Sequence, residues 1–172
     1  DRLPRKALTP TPKGYEPYYL RHYGRHGSRW LLSDRDYTAP INTLKDAKKA
    51  GVLTEVGQKA LAKLEEIQKT SKGRLGDLSD IGEKQHHGIA KRMTQNFPEI
   101  FKTPNLPIDA RSTTSVRAIL SMIAECEELT AANPSAIVHN EANEANMKYM
   151  NASKTGLQRA SEGKAQPIQN KY

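Results

Sequence analysis

The chain has 172 residues, 36% of them hydrophobic and 27% charged, and its 27 Lys and Arg against 19 Asp and Glu give a formal net charge of +8. That length suffices for one domain with a real core and is short for two. No apolar run approaches the roughly 20 residues of a membrane-spanning helix, and a single cysteine, Cys126, excludes an internal disulfide and a cysteine-based zinc site. The positive balance favours anionic partners. Lys and Arg are nevertheless spread along the chain without a basic block, which is the pattern of solvated helix faces.

Residues 1–14 carry Pro4, Pro10, Pro12 and Gly14 and read as an extended arm. The aromatic run Pro17-Tyr18-Tyr19-Leu20-Arg21-His22-Tyr23 predicts a strand that stops at Gly24. Thr54 to Thr70 predicts a helix, with Thr54 as N-cap, Glu55 in the first turn, and Val56, Ala60, Leu61, Leu64 and Ile67 forming an apolar stripe. A second helix is expected from Ser79 or Asp80 to about Phe97, where Pro98 ends it. Leu106 to Ala110 predicts a short strand, followed directly by Arg111. From Ser112 a long helix is expected through Val116, Ile119, Leu120, Ile123 and Leu129 to the stop at Asn133-Pro134. Cys126 falls within it and reads as a buried small hydrophobe. Ser135 to His139 is a candidate third strand, and the chain then turns polar, without clear pattern to its end.

This alternation predicts an α/β sheet with helices packed on it. Two polar clusters, Arg25 to Arg29 and Arg111 to Thr113, fall just past expected strand ends, the edge at which open α/β sheets bind ligands.

Arg25-His26-Gly27-Ser28-Arg29 places one histidine between two arginines. A phosphoryl group carries its charge on non-bridging oxygens, and guanidinium meets such oxygens with paired N–H donors in a fixed fork. A histidine attacking phosphorus would work with arginines that hold the oxygens and offset charge in the transition state. Gly27 permits a close backbone approach. Arg111 is a third candidate cation, and the Ser112, Thr113 and Thr114 that follow would open a helix whose free N–H groups favour an anion. Arg21-His22-Tyr23-Gly24 is a local decoy without a glycine after its histidine. His86 and His87 are adjacent, so they face different sides of a helix and lack the four-residue spacing of a metal pair; they read as helix surface or core edge.

Tyr19-Leu20-Arg21-His22-Tyr23-Gly24-Arg25-His26-Gly27-Ser28-Arg29 resembles the strand-plus-RHGxR signature of the histidine acid phosphatases, the second branch of the histidine phosphatase superfamily. Leu78-Ser79-Asp80-Ile81-Gly82-Glu83-Lys84-Gln85-His86 resembles the family's L-T-x-x-G-x-x-Q segment. Ala110-Arg111-Ser112-Thr113-Thr114-Ser115-Val116-Arg117, with Ser121 after it, resembles the segment bearing the family's third phosphate-binding arginine. The wording around His26 and the Arg-Ser-Thr-Thr stretch is similar to that of bacterial multiple inositol-polyphosphate phosphatases and phytases.

The resemblance implies a three-layer α/β/α sandwich core of histidine phosphatase type over residues 15–138, incomplete here, with residues 139–172 as the entry to an inserted helical cap or an irregular tail. It implies phosphomonoester hydrolysis through a phosphohistidine intermediate, on inositol polyphosphates such as phytate. His26 would be the nucleophile, and Arg25, Arg29 and Arg111 would bind the phosphate. No cofactor or metal is implied. Members are usually exported, so a periplasmic or secreted location is expected; no signal peptide is visible, and Asp1 in place of Met suggests a trimmed start.

Two departures stand out. Trp30 and Leu31 follow Arg29 where many members have a proline, and no His-Asp or His-Ala-Glu motif supplies the general acid. His139-Asn140-Glu141 looks similar but comes at the wrong place in the order. Members of the family are much longer, so an N-terminal portion is expected, completed by its own missing C-terminal part or by self-association of open sheet edges. Two rivals remain: a phosphate-binding module without turnover, and a basic nucleic-acid-binding domain. The latter is disfavoured because only 6% of residues are aromatic.

Overall fold

The structure is a computed structural model and describes residues 8–150. Helix α1 spans Arg35–Lys49, a stretch to which the sequence reading assigned no element. Its stripe is Tyr37, Ile41 and Leu44, of which Tyr37 and Ile41 are buried, and this packing outweighs the break expected from Pro40 inside the helix. Helix α2, Glu55–Ser71, starts at Thr54, whose Oγ1 accepts a bond from the Gly57 amide at 3.2 Å. The two helices pack together around Leu61, and Lys45 Nζ meets Glu65 Oε1 at 2.8 Å.

Helix α3, Asp80–Asn96, is capped in the same way by Ser79, whose Oγ accepts from the Gly82 amide at 3.2 Å. Pro98 then opens a single turn, α4, Pro98–Phe101, at the position where its missing N–H costs nothing. Strand β1, Pro107–Ser112, helix α5, Val116–Ala132, and strand β2, Ile137–Ala142, form a parallel β–α–β unit with Pro107 opposite Ile137 and Ser112 opposite Ala142. Parallel neighbours need such a crossover. Helix α5 lies against both strands, and α3 packs along α5. Their shared core holds Ala90, Ile100, Phe101 and Leu129, joined by Leu20, Met93, Phe97, Leu106 and Ile108. A short 3-10 turn, Glu144–Asn146, and one helical turn, α6, Met147–Met150, follow β2.

The α/β order read from the sequence holds, with three differences beside the added α1. The expected strand at 17–23 pairs with no described strand. It runs past the core with Leu20 turned inward, while Tyr18, Tyr19 and Tyr23 are 92%, 71% and 74% exposed. Aromatic strand propensity reports fit to a pleated, half-buried surface, and no described neighbour supplies one here. Second, the long helix starts at Val116 rather than Ser112, because the β1–β2 ladder continues through Arg111 and Ser112. Arg111 therefore lies inside a strand, and the expected helix-start anion site at Ser112 to Thr114 does not form. Third, β2 runs on to Ala142, so residues 139–142 belong to the sheet.

Residues 8–12 have no regular structure and a turn follows at Lys13-Gly14; the rest of the expected arm, and the tail from 151 to 172, lie outside the described residues. No helix among the described residues is long and apolar enough to cross a membrane.

Candidate functional site

Residues three or four apart share a helix face. On α5 such a face carries Arg117, Ser121 and Glu125; on α3 it carries Gly82, Gln85 and His86. The segment from His22 to Trp30 lies against both. The buried Gly27 amide donates to Ser121 Oγ at 3.0 Å, and that hydroxyl donates to the Arg117 carbonyl at 2.7 Å. The Ser28 amide donates to Gln85 Oε1 at 2.9 Å. The Ser28 carbonyl accepts from the Ser79 amide at 2.9 Å and from Ser79 Oγ at 2.8 Å. Arg29 bridges Leu78 in antiparallel fashion, and the Trp30 amide donates to the Asp77 carbonyl at 2.9 Å.

Two glycines make this approach possible. A Cβ on Gly27 would stand 2.4 Å from the Gly82 carbonyl oxygen, and one on Gly82 would stand 2.2 Å from the Ser28 oxygen. The motif around Ser79, Gly82 and Gln85 thus has a physical meaning: cap, close contact and amide acceptor for one loop.

The amides of Gly27 and Ser28 are both bonded to side chains, so they are not free to cradle an anion as successive amides do in a nest. An anion at this loop would have to be met by positive side chains. His26 is half-buried, with Nδ1 2.8 Å from the Gly27 carbonyl oxygen. A carbonyl only accepts, so Nδ1 carries the proton, and in the neutral ring Nε2 presents the lone pair. Arg29 Nη1 donates to the Trp30 carbonyl at 2.9 Å, while its buried Nε has no hydrogen-bond partner among the described residues. A buried donor without an acceptor is costly, which makes Arg29 receptive to an oxyanion. Arg117 Nε is buried and unpartnered in the same way. Arg117 has no role assigned from the sequence; its place one turn before Ser121 is the signal for it.

Arg25 is exposed beside His26. Arg111 stands apart: its Nε meets Glu141 Oε2 at 2.8 Å across the ladder, and its side chain is 58% exposed. Among the described residues no hydrogen bond or ion pair joins Arg111 to the His26 loop. His139-Asn140-Glu141 lies within β2, with His139 exposed and 3.9 Å from Asp109. The Arg74 guanidinium lies 5.9 Å over the Trp30 ring.

His86, expected at a surface or core edge, is buried instead. It lies on the α3 face that meets α5, and its Nδ1 is 2.6 Å from Glu125 Oε1. The same oxygen is 3.4 Å from His22 Nε2. His87 reaches out to Glu127 and Glu128. Cys126 is buried as expected; burial pushes its thiol pKa up, and the Glu125 and Glu127 carboxylates add to this. No group of three or more His, Cys, Asp and Glu among the described residues is disposed to hold a metal ion.

No protein-family model matches the chain, and no curated protein sequence matches it. Among solved structures it is similar to the multiple inositol polyphosphate phosphatase of Bifidobacterium longum, crystallised with inositol hexasulfate, at 22% identity and a TM-score of 0.52. The match covers 76% of this chain and 28% of that enzyme. At that identity the likeness concerns the fold alone: helices packed on a small parallel sheet, shared with part of that enzyme.

Proposed function

We propose that this chain carries the nucleophile side of a histidine acid phosphatase, acting on phosphomonoesters of the inositol polyphosphate class, phytate included. The observation that supports it most is the His26 ring, whose Nδ1 is committed to the Gly27 carbonyl while Arg29 brings an unpartnered buried donor to the same loop. In the proposed reaction Nε2 of His26 attacks phosphorus, a P–N bond forms, and the P–O bond to the alcohol breaks. The departing alkoxide takes a proton from a general acid, and water then attacks the phosphohistidine to release phosphate. Arg25 and Arg29 would hold non-bridging oxygens, and Arg111 would join them on exchanging Glu141 for substrate. The net charge of +8 suits a polyanionic substrate.

A second reading, a phosphate-binding module without turnover, is favoured by the lack of a His-Asp or His-Ala-Glu motif in the sequence. The two readings separate on p-nitrophenyl phosphate, whose leaving group departs without protonation, assayed beside phytate. The enzyme reading expects release of p-nitrophenol that falls by at least about 10³-fold in His26→Ala. Phytate turnover would further require a proton donor within this chain or from a partner copy. No release of p-nitrophenol from the folded chain, with saturable binding of inorganic phosphate, would replace the enzyme reading by the binding one.

A further inference from the structure

His22, Glu125 and His86 form a cluster that the proposed reaction does not use. Glu125 is 15% exposed and His86 6% in their side chains, and both imidazoles face one carboxylate oxygen, at 2.6 Å from His86 Nδ1 and 3.4 Å from His22 Nε2. A carboxylate so far removed from water needs donors; His86 Nδ1 is hydrogen-bonded to it, and His22 Nε2 lies within ion-pair distance of the same oxygen. His22 reaches Glu125 by folding its ring back over Gly24, where a Cβ would stand 2.7 Å from Nε2. The glycine that ends the aromatic run therefore makes room for this ring.

The cluster lies on the faces that hold the other side of the loop. Glu125 is one turn along α5 from Ser121, which takes the Gly27 amide, and His86 follows Gln85, which takes the Ser28 amide. His26 thus sits between two sets of anchors. Downstream the backbone is bonded to α3 and α5. Upstream the chain has no strand partner among the described residues; its ties there are Leu20 in the core, the exposed Tyr23 hydroxyl donating to the Met150 carbonyl at 3.2 Å, and His22.

We propose that His22 and Glu125 are positioning residues for His26: His86 orients the carboxylate, the carboxylate holds the His22 ring against Gly24, and the ring sets the backbone course that delivers His26 with Nε2 free. The proposal rests on the reading of His26 as nucleophile. Neither residue touches the reacting atoms, so the effect belongs to kcat, through geometry.

The test compares His22→Phe, which keeps a ring without the donor, with His22→Gln, which keeps a donor. Both are followed by p-nitrophenyl phosphate kinetics and by ¹⁵N NMR of the His26 ring. The expected result is a kcat lowered by about tenfold or more in His22→Phe with KM within about twofold. The His26 ring would shift from the single Nδ1–H tautomer to a mixture, and His22→Gln would restore both properties. Glu125→Ala should behave as His22→Phe does. The NMR measurement decides even where no turnover is seen, so failure of the phosphatase reading is separable from failure of this one. An unchanged His26 tautomer in folded His22→Phe, or equal behaviour of the Phe and Gln variants, would overturn the proposal.

Discussion

Around His26, backbone amides and a carbonyl are bonded to residues of α3 and of the turn before it, and to α5, and two glycines meet backbone to backbone. At Arg111, one ion pair with Glu141 links neighbouring strands at a half-exposed position. The first arrangement fixes where the chain goes, whatever the charged side chains do. The second fixes only a side chain, and with a contact of low strength: exposed ion pairs contribute about 0–1 kcal/mol. In the proposed reaction a polyanion would meet a fixed loop and, in Arg111, a cation that can change partner. Such a division would let the nitrogen proposed to react stay fixed while charge reorganises around it.

The strongest way to break the contrast is Gly82→Ala. Its Cβ would fall 2.2 Å from the Ser28 oxygen, a clash with backbone that no rotamer relieves. We expect a loss of about 3 kcal/mol in urea unfolding, with phosphate binding abolished because the loop separates from α3. Next is Ser121→Ala, which leaves the buried Gly27 amide without an acceptor. About 2 kcal/mol should be lost, and turnover should fall while circular dichroism stays native. The smallest effect sharpens the other half of the comparison. Glu141→Gln should alter stability by less than about 1 kcal/mol yet tighten binding of inositol hexasulfate several-fold in calorimetry, since Arg111 no longer has an anionic neighbour to leave. An unchanged or weaker affinity would remove Arg111 from the site.

Much of this was legible in the residues. Thr54 and Ser79 announced two helices because a hydroxyl before an apolar stripe satisfies free amides at the first turn. The order of strand, helix and strand from 106 to 139 followed from short apolar runs flanking a long periodic one. What escaped was set by tertiary context. No element was assigned to 35–49, where Pro40 argues locally against a helix that the burial of Tyr37 and Ile41 sustains. Tyr18, Tyr19 and Tyr23 have strand chemistry but no described strand beside them. His86 looked peripheral because adjacency to His87 concealed the face it shares with Gly82, and nothing local tells that Glu125 lies opposite. The pairing of Arg111 with Glu141 depends on strand register, which the sequence does not display.

The spacing of Arg117, Ser121 and Glu125 makes α5 a ruler. Successive residues turn by about 100° around a helix axis, so the anchors on either side of His26 share one phase. Substitutions on the outer face of α5 leave that phase untouched, whereas a single inserted or deleted residue between Ser121 and Glu125 would swing one anchor away from the loop while the other stayed. For this segment length matters more than composition, and a redesign of the helix could change most of its exposed letters but not their number.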